Sequence, residues 1–80
     1  MVHVEVRRYA SLERYHPPLK AGEPLPVELA GKTTVAQLLG ILKIPQKAVF
    51  LIFINGLVRP LNQVLADGDR VALFPPIGGG

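Results

Sequence analysis

The chain has 80 residues, 49% hydrophobic and 19% charged, with nine Lys and Arg against six Asp and Glu for a net charge of +3. That length holds one small domain with a single core, and the composition is that of a folded chain, not a disordered one. No cysteine is present, which excludes disulfide staples, thiolate metal sites and a cysteine nucleophile. No apolar run reaches the roughly 18–20 residues that cross a bilayer, and the N-terminal stretch alternates where a signal peptide is continuously apolar. A cytoplasmic protein with no membrane partner is expected. The basic residues are scattered from Arg7-Arg8 to Arg70, without the stripe and interleaved aromatics of a nucleic-acid binder, so no nucleic-acid partner is expected either.

In chain order, Val2, Val4 and Val6 alternate with His3, Glu5 and Arg7, the period of a half-buried strand ending near Tyr9. Ala10 to Pro24 is polar and broken by Pro17-Pro18 and Gly22, a long loop. Leu25–Leu29 is a second strand, which Pro26 limits to a sheet edge or a strand start. Thr33 or Thr34 caps a helix whose stripe is Val35, Leu38, Leu39 and Leu42. Pro45 closes that segment, and Gly40 within it costs about 1 kcal/mol relative to alanine, with close approach to a sheet as the expected reason.

Ala48 to Ile54 is the strongest strand signal, apolar on both faces. Asn55-Gly56 predicts a type I′ turn into a short return strand, Leu57 to Arg59, stopped by Pro60. Asn62 to Leu65 reads as a short helical turn. Asp67-Gly68-Asp69 then turns the chain into a last strand, Arg70 to Phe74. Five strands and one amphipathic helix in this order predict an α+β fold, a mixed sheet with the helix packed across one face. The domain is expected over residues 1–74. Residues 75–80 form a tail in which Pro75-Pro76 ends the strand and three glycines without Cβ atoms follow.

Several segments taken together resemble a known family. They are the alternating first strand, Thr34-Val35-Ala36-Gln37-Leu38-Leu39, Ile54-Asn55-Gly56, Leu65-Ala66-Asp67-Gly68-Asp69-Arg70-Val71-Ala72, and Phe74-Pro75-Pro76-Ile77-Gly78-Gly79-Gly80. In that order they resemble the MoaD/ThiS-type sulfur carriers, which share the ubiquitin-like β-grasp fold. The Phe-Pro-Pro-Ile ending is more similar to the small subunit of molybdopterin synthase than to the thiamine-pathway carrier. Two departures stand out. The segment after the first strand matches the family's helical turn only loosely, and Gly78 stands where the family often has alanine or serine.

The resemblance implies a chemistry located on Gly80. An E1-like adenylating enzyme uses ATP to activate the glycine carboxylate, and a sulfur donor converts the acyl-adenylate to a thiocarboxylate. The carrier holds no cofactor and supplies no catalytic side chain. Gly79, Gly78, Ile77, Pro76 and Pro75 would thread the tail into a partner, either a larger MoaE-like synthase subunit or another sulfur acceptor. Molybdenum or tungsten cofactor synthesis is the implied pathway, with thiamine thiazole or another sulfur pathway as alternatives. A ubiquitin-like modifier joined to lysines through Gly80 is a further alternative of a different class.

Other polar residues have ordinary readings. His3 and His16 are far apart in sequence and lack nearby cysteines, so solvated or locally bonded histidines are expected and no metal site. Asp67 and Asp69 fit backbone-bonding turn chemistry. The apolar strand carries one more expectation. One helix covers one sheet face, so either Phe50, Ile52 and Ile54 or Val49, Leu51 and Phe53 face away from it. With Leu57, Arg59 and Phe74, the outward row is the expected docking surface.

Overall fold

The alternating N-terminus forms strand β1 (Val2–Arg8), which buries Val4, Val6 and Arg8 and turns His3, Glu5 and Arg7 to the other side. The computed structural model describes residues 1–15 and 19–76. Strand β2 (Leu25–Leu29) runs antiparallel to β1 at the sheet edge, with Pro26 opposite Glu5. An edge is where a residue without an N–H costs the ladder least. Between the two strands, the expected loop carries a 3-10 helix, Ala10–Tyr15, anchored by the buried Leu12.

Thr34 caps helix α1 (Val35–Leu42) through a full capping box. Its hydroxyl accepts from Gln37 N, and the Gln37 side chain accepts from Thr34 N. Val35, Leu38, Leu39 and Leu42 are buried as the 3.6-residue stripe requires, and full burial of each such side chain stabilises by about 1.5–3 kcal/mol. The helix stops before Pro45. Lys43 takes the left-handed conformation at φ 59°, its N–H donates to Gly40 O, and Ile44 N donates to Leu39 O. This is a Schellman ending, with the buried Ile44 joining Leu39 in the core. A methyl group on Gly40 would meet nothing within 4 Å, so close approach to the sheet is not the reason for this glycine.

A short 3-10 helix, Gln46–Ala48, delays strand β3 to Leu51–Ile54. Asn55 and Gly56 both have positive φ, 52° and 85°, the geometry of a type I′ turn, and strand β4 (Leu57–Val58) returns. Asn62 to Leu65 is not helical. Val64 bridges Thr34, and the carbonyls of Leu61 and Gln63 accept the N–H groups of Ala36 and Val35. Those are orphan donors of the first helical turn, so the segment serves α1 instead of forming a turn of its own. Strand β5 (Arg70–Phe74) completes a sheet of order β2-β1-β5-β3-β4, with β1 and β5 parallel and the other pairs antiparallel. Val4, Val6, Ile52, Ile54, Val71 and Leu73 meet the stripe of α1 in one core. This is the ubiquitin-like β-grasp arrangement. Among the described residues no helix is long and apolar enough to cross a membrane.

Candidate functional site

The end of β5 is held from both sides. Tyr9 N donates to Leu73 O at 3.1 Å, and Phe50 N donates to Phe74 O at 2.7 Å. Pro75 and Pro76 have no N–H and continue neither ladder, so the chain leaves the sheet at Phe74. Ile77, Gly78, Gly79 and Gly80, the expected reactive tail, lie outside the described residues, as does His16.

The sheet face turned away from α1 leads to this exit. Cross-strand partners share a face, and the register groups Arg7, Ala72 and Phe53 in one row and Leu51 with Phe74 in the next. Phe74 stacks on Tyr9 with ring centroids 4.6 Å apart and planes 3° from parallel, and Phe53 meets Phe74 edge-on at 5.4 Å. These rings wall a shallow concavity of about 330 Å³, whose other wall carries Glu5, Arg7 and Arg70. Glu5 and Arg7 pair at 3.0 Å. The rim is therefore charged and the floor near the exit is aromatic.

Of the two rows left open by the sequence, the candidate docking row of Phe50, Ile52 and Ile54 is not the outward one. Ile52 and Ile54 are 6% and 5% exposed and belong to the core; Leu51 and Phe53 face away from the helix instead. Val49 does not complete that alternative row, because it packs against the core. Phe50 precedes β3 and stands 64% exposed beside the exit. Leu57 pairs with Ile54 and Arg59 donates its N–H to Ile52 O. Both therefore lie at the β4 edge on the helix side of the sheet, away from the aromatic concavity. Tyr9, Arg7 and Arg70 were not anticipated. The signal for them was the outward half of the β1 alternation, Glu5-Arg7-Tyr9, continued by Arg70 opposite Glu5.

At the opposite end of the open face, three strands' ends are tied together. His3 Nε2 lies 2.8 Å from Glu28 Oε2, and His3 Nδ1 lies 3.3 Å from Asp67 Oδ1. Glu28, then Asp67, hold the imidazole pKa above its ordinary 6.5. The His3 backbone N–H, then its ring, hold the Asp67 carboxyl below 3.8. Asp69 accepts from Ala66 N and from the Asn55 side chain, whose oxygen accepts from Arg70 N. These carboxylates order the turn into β5. Among the described residues no group of His, Asp and Glu is arranged to hold a metal ion.

Solved structures of similar shape cover nearly the whole chain. The small archaeal modifier protein 1 of Haloferax volcanii is 25% identical, with 96% of this chain and 100% of that one covered and a TM-score of 0.71. Subunit 1 or 2 of the molybdopterin-converting factor of Helicobacter pylori, solved as their complex, is 26% identical over 99% of this chain and 100% of that one, with a TM-score of 0.63. A Caldiarchaeum subterraneum ubiquitin, 19% identical, covers 99% of this chain and 98% of its own at a TM-score of 0.59 and shares the fold. No curated protein matches the sequence. The ThiS family model matches residues 20–80, from the loop before β2 through α1 and β5 to the glycines. The chain belongs to the ThiS family.

Proposed function

We propose that this protein is a sulfur carrier that works through the α-carboxylate of Gly80. The observation that carries the reading is the family match, which extends through Gly78-Gly79-Gly80. A carboxylate is a poor electrophile until it bears a leaving group. Its oxygen attacks the α-phosphorus of ATP on an E1-like adenylating enzyme, and the bond to pyrophosphate breaks. A hydrosulfide equivalent then adds at the carbonyl carbon and expels AMP, leaving –COS⁻ and a proton. This chain's own part is to dock and to present the tail. The aromatic concavity of Tyr9, Phe53 and Phe74 is the docking floor, and Pro75-Pro76 takes the chain off the sheet at its edge.

Molybdopterin-type cofactor synthesis is the pathway we favour, with a larger MoaE-like subunit receiving the tail. The likeness to the Helicobacter pylori molybdopterin-converting factor supports it. A second reading, a modifier conjugated to lysines through Gly80, is favoured by the likeness to the Haloferax volcanii modifier protein. Intact mass separates them. Incubation with ATP, the cognate adenylating enzyme and a sulfur donor is expected to replace one carboxylate oxygen by sulfur. A mass that never changes, together with full function after deletion of Gly80, sinks the carrier reading. Lysines bearing a glycine remnant select the modifier.

A further inference from the structure

A second concavity, of about 390 Å³, lies at the root of the tail and shares no lining residue with the aromatic one. Leu12, Ala48, Pro75 and Pro76 line it together with Arg14 and Lys47, so among the described residues its wall carries two cations and no anion. Arg14 is steadied by its position over the Tyr15 ring, 5.4 Å from the centroid. A third cation lies beneath the same segment. Arg8 is wholly buried, and its Nη1 donates to the carbonyl of Glu13, the residue between Leu12 and Arg14. Among the described residues its Nε and Nη2 have no hydrogen-bond partner, and no carboxylate pairs with it. A buried cation without a counter-ion is costly, and its field is screened far less than that of a surface charge.

We infer that this concavity receives an acidic side chain of the adenylating enzyme as that enzyme takes the tail. The inference rests on the carrier reading, since it concerns the same tail. Whatever encloses the tail must pass over Pro75 and Pro76, and so over Arg14 and Lys47. Four residues separate Pro76 from the Gly80 carboxylate, a span of roughly 13 Å when extended. A tail extended into a channel holds the nucleotide phosphate formed at Gly80 at that distance from the root, so the negative charge at the root is assigned to the partner protein. A single carboxylate there meets two surface cations with a buried one behind them. Such an arrangement steers encounter and fixes the orientation of the incoming tail.

The test uses the full chain and the adenylating enzyme of its source organism, with ATP–pyrophosphate exchange measured over a range of carrier concentrations. In an Arg14→Glu/Lys47→Glu variant the half-saturating carrier concentration is expected to rise about tenfold or more, with the maximal rate within about twofold of wild type. Both side chains are exposed, so the unfolding midpoint of the variant is expected to match wild type. Wild type is also expected to lose apparent affinity as salt rises, and the variant is not. Equal half-saturation in variant and wild type overturns the inference while leaving the carrier reading intact. A wild-type chain that supports no exchange overturns both. AMP is titrated separately into the isolated chain while the amide signals of Ser11 and Lys47 are followed. No saturable shift is expected; saturation by AMP assigns the concavity to a nucleotide and overturns the inference.

Discussion

Tyr9 and Phe74 stack in parallel, 4.6 Å between ring centroids and 3° between planes, at the point where β5 gives way to the tail. Tyr9 also donates its N–H to Leu73 O, so backbone and ring together clamp the last residues of β5 to the end of β1. Aromatic pairs of this kind contribute about 0.5–1.5 kcal/mol beyond the area they bury. A double-mutant cycle on Tyr9→Ala and Phe74→Ala, read by urea unfolding, is expected to return a coupling energy of about that size. A coupling near zero means the stack contributes nothing of its own to holding the exit.

Neighbouring residues of β3 are expected to separate stability from docking. Ile52 is 6% exposed and sits in the core, so Ile52→Ala is expected to cost about 2–5 kcal/mol of unfolding free energy. Phe53 touches the Phe74 ring from the open side. Phe53→Ala is therefore expected to cost less in stability and to raise the half-saturating concentration in activation by the adenylating enzyme by about tenfold, as removal of an aromatic anchor does. If Phe53→Ala binds as wild type does, the aromatic concavity is not the docking floor.

That contrast marks the boundary of what was legible in the chain. The period-two pattern of Val2 to Arg7, the limits of Leu25–Leu29 and Arg70–Phe74, and the Asn55-Gly56 turn are set by local chemistry, and each lies where expected. Between Phe50 and Ile54 both parities are apolar, so burial there is decided by the hydrogen-bond register with Val71 and Leu73 of β5. Asn62 to Leu65 was unreadable for a related reason: the segment is committed to the first turn of α1, with Gln63 O accepting from Val35 N and Val64 bridging Thr34, partners distant in sequence. Arg8 follows a basic neighbour and looks solvated in sequence. Its alternation with Val4 and Val6 carries it into the interior all the same.

Gly40 and Thr34 offer opposite tests of α1. The space around Gly40 is open on the outer helix face, so Gly40→Ala is expected to stabilise the fold by about 1 kcal/mol through helix propensity and loss of unfolded-state freedom. Thr34→Ala removes the hydroxyl that accepts from Gln37 N and is expected to cost about 1 kcal/mol. Urea midpoints at constant m-value check both. A destabilised Gly40→Ala would show that the outer face of α1 does not have the room described.

His3 sets the pH dependence of the open face. Glu28 and Asp67 raise its pKa, so folding favours the imidazolium, and that contribution is complete below pH 6.5 and lost as pH rises through the higher folded value. Asp67 runs the other way. Its folded pKa is lowered, so its contribution is present above pH 3.8 and lost as pH falls through the lower folded value. The cluster therefore stabilises most between pH 3.8 and 6.5. All three side chains are more than half exposed, so the effect is modest and shrinks with salt. In His3→Gln the fall in urea midpoint from about pH 6 to about pH 8.5 is expected to flatten. Much of the acid limb is expected to survive, because the backbone N–H of residue 3 still donates to Asp67 Oδ1. NMR titration of the His3 ring provides the direct check, and a midpoint below 6.5 contradicts the assignment.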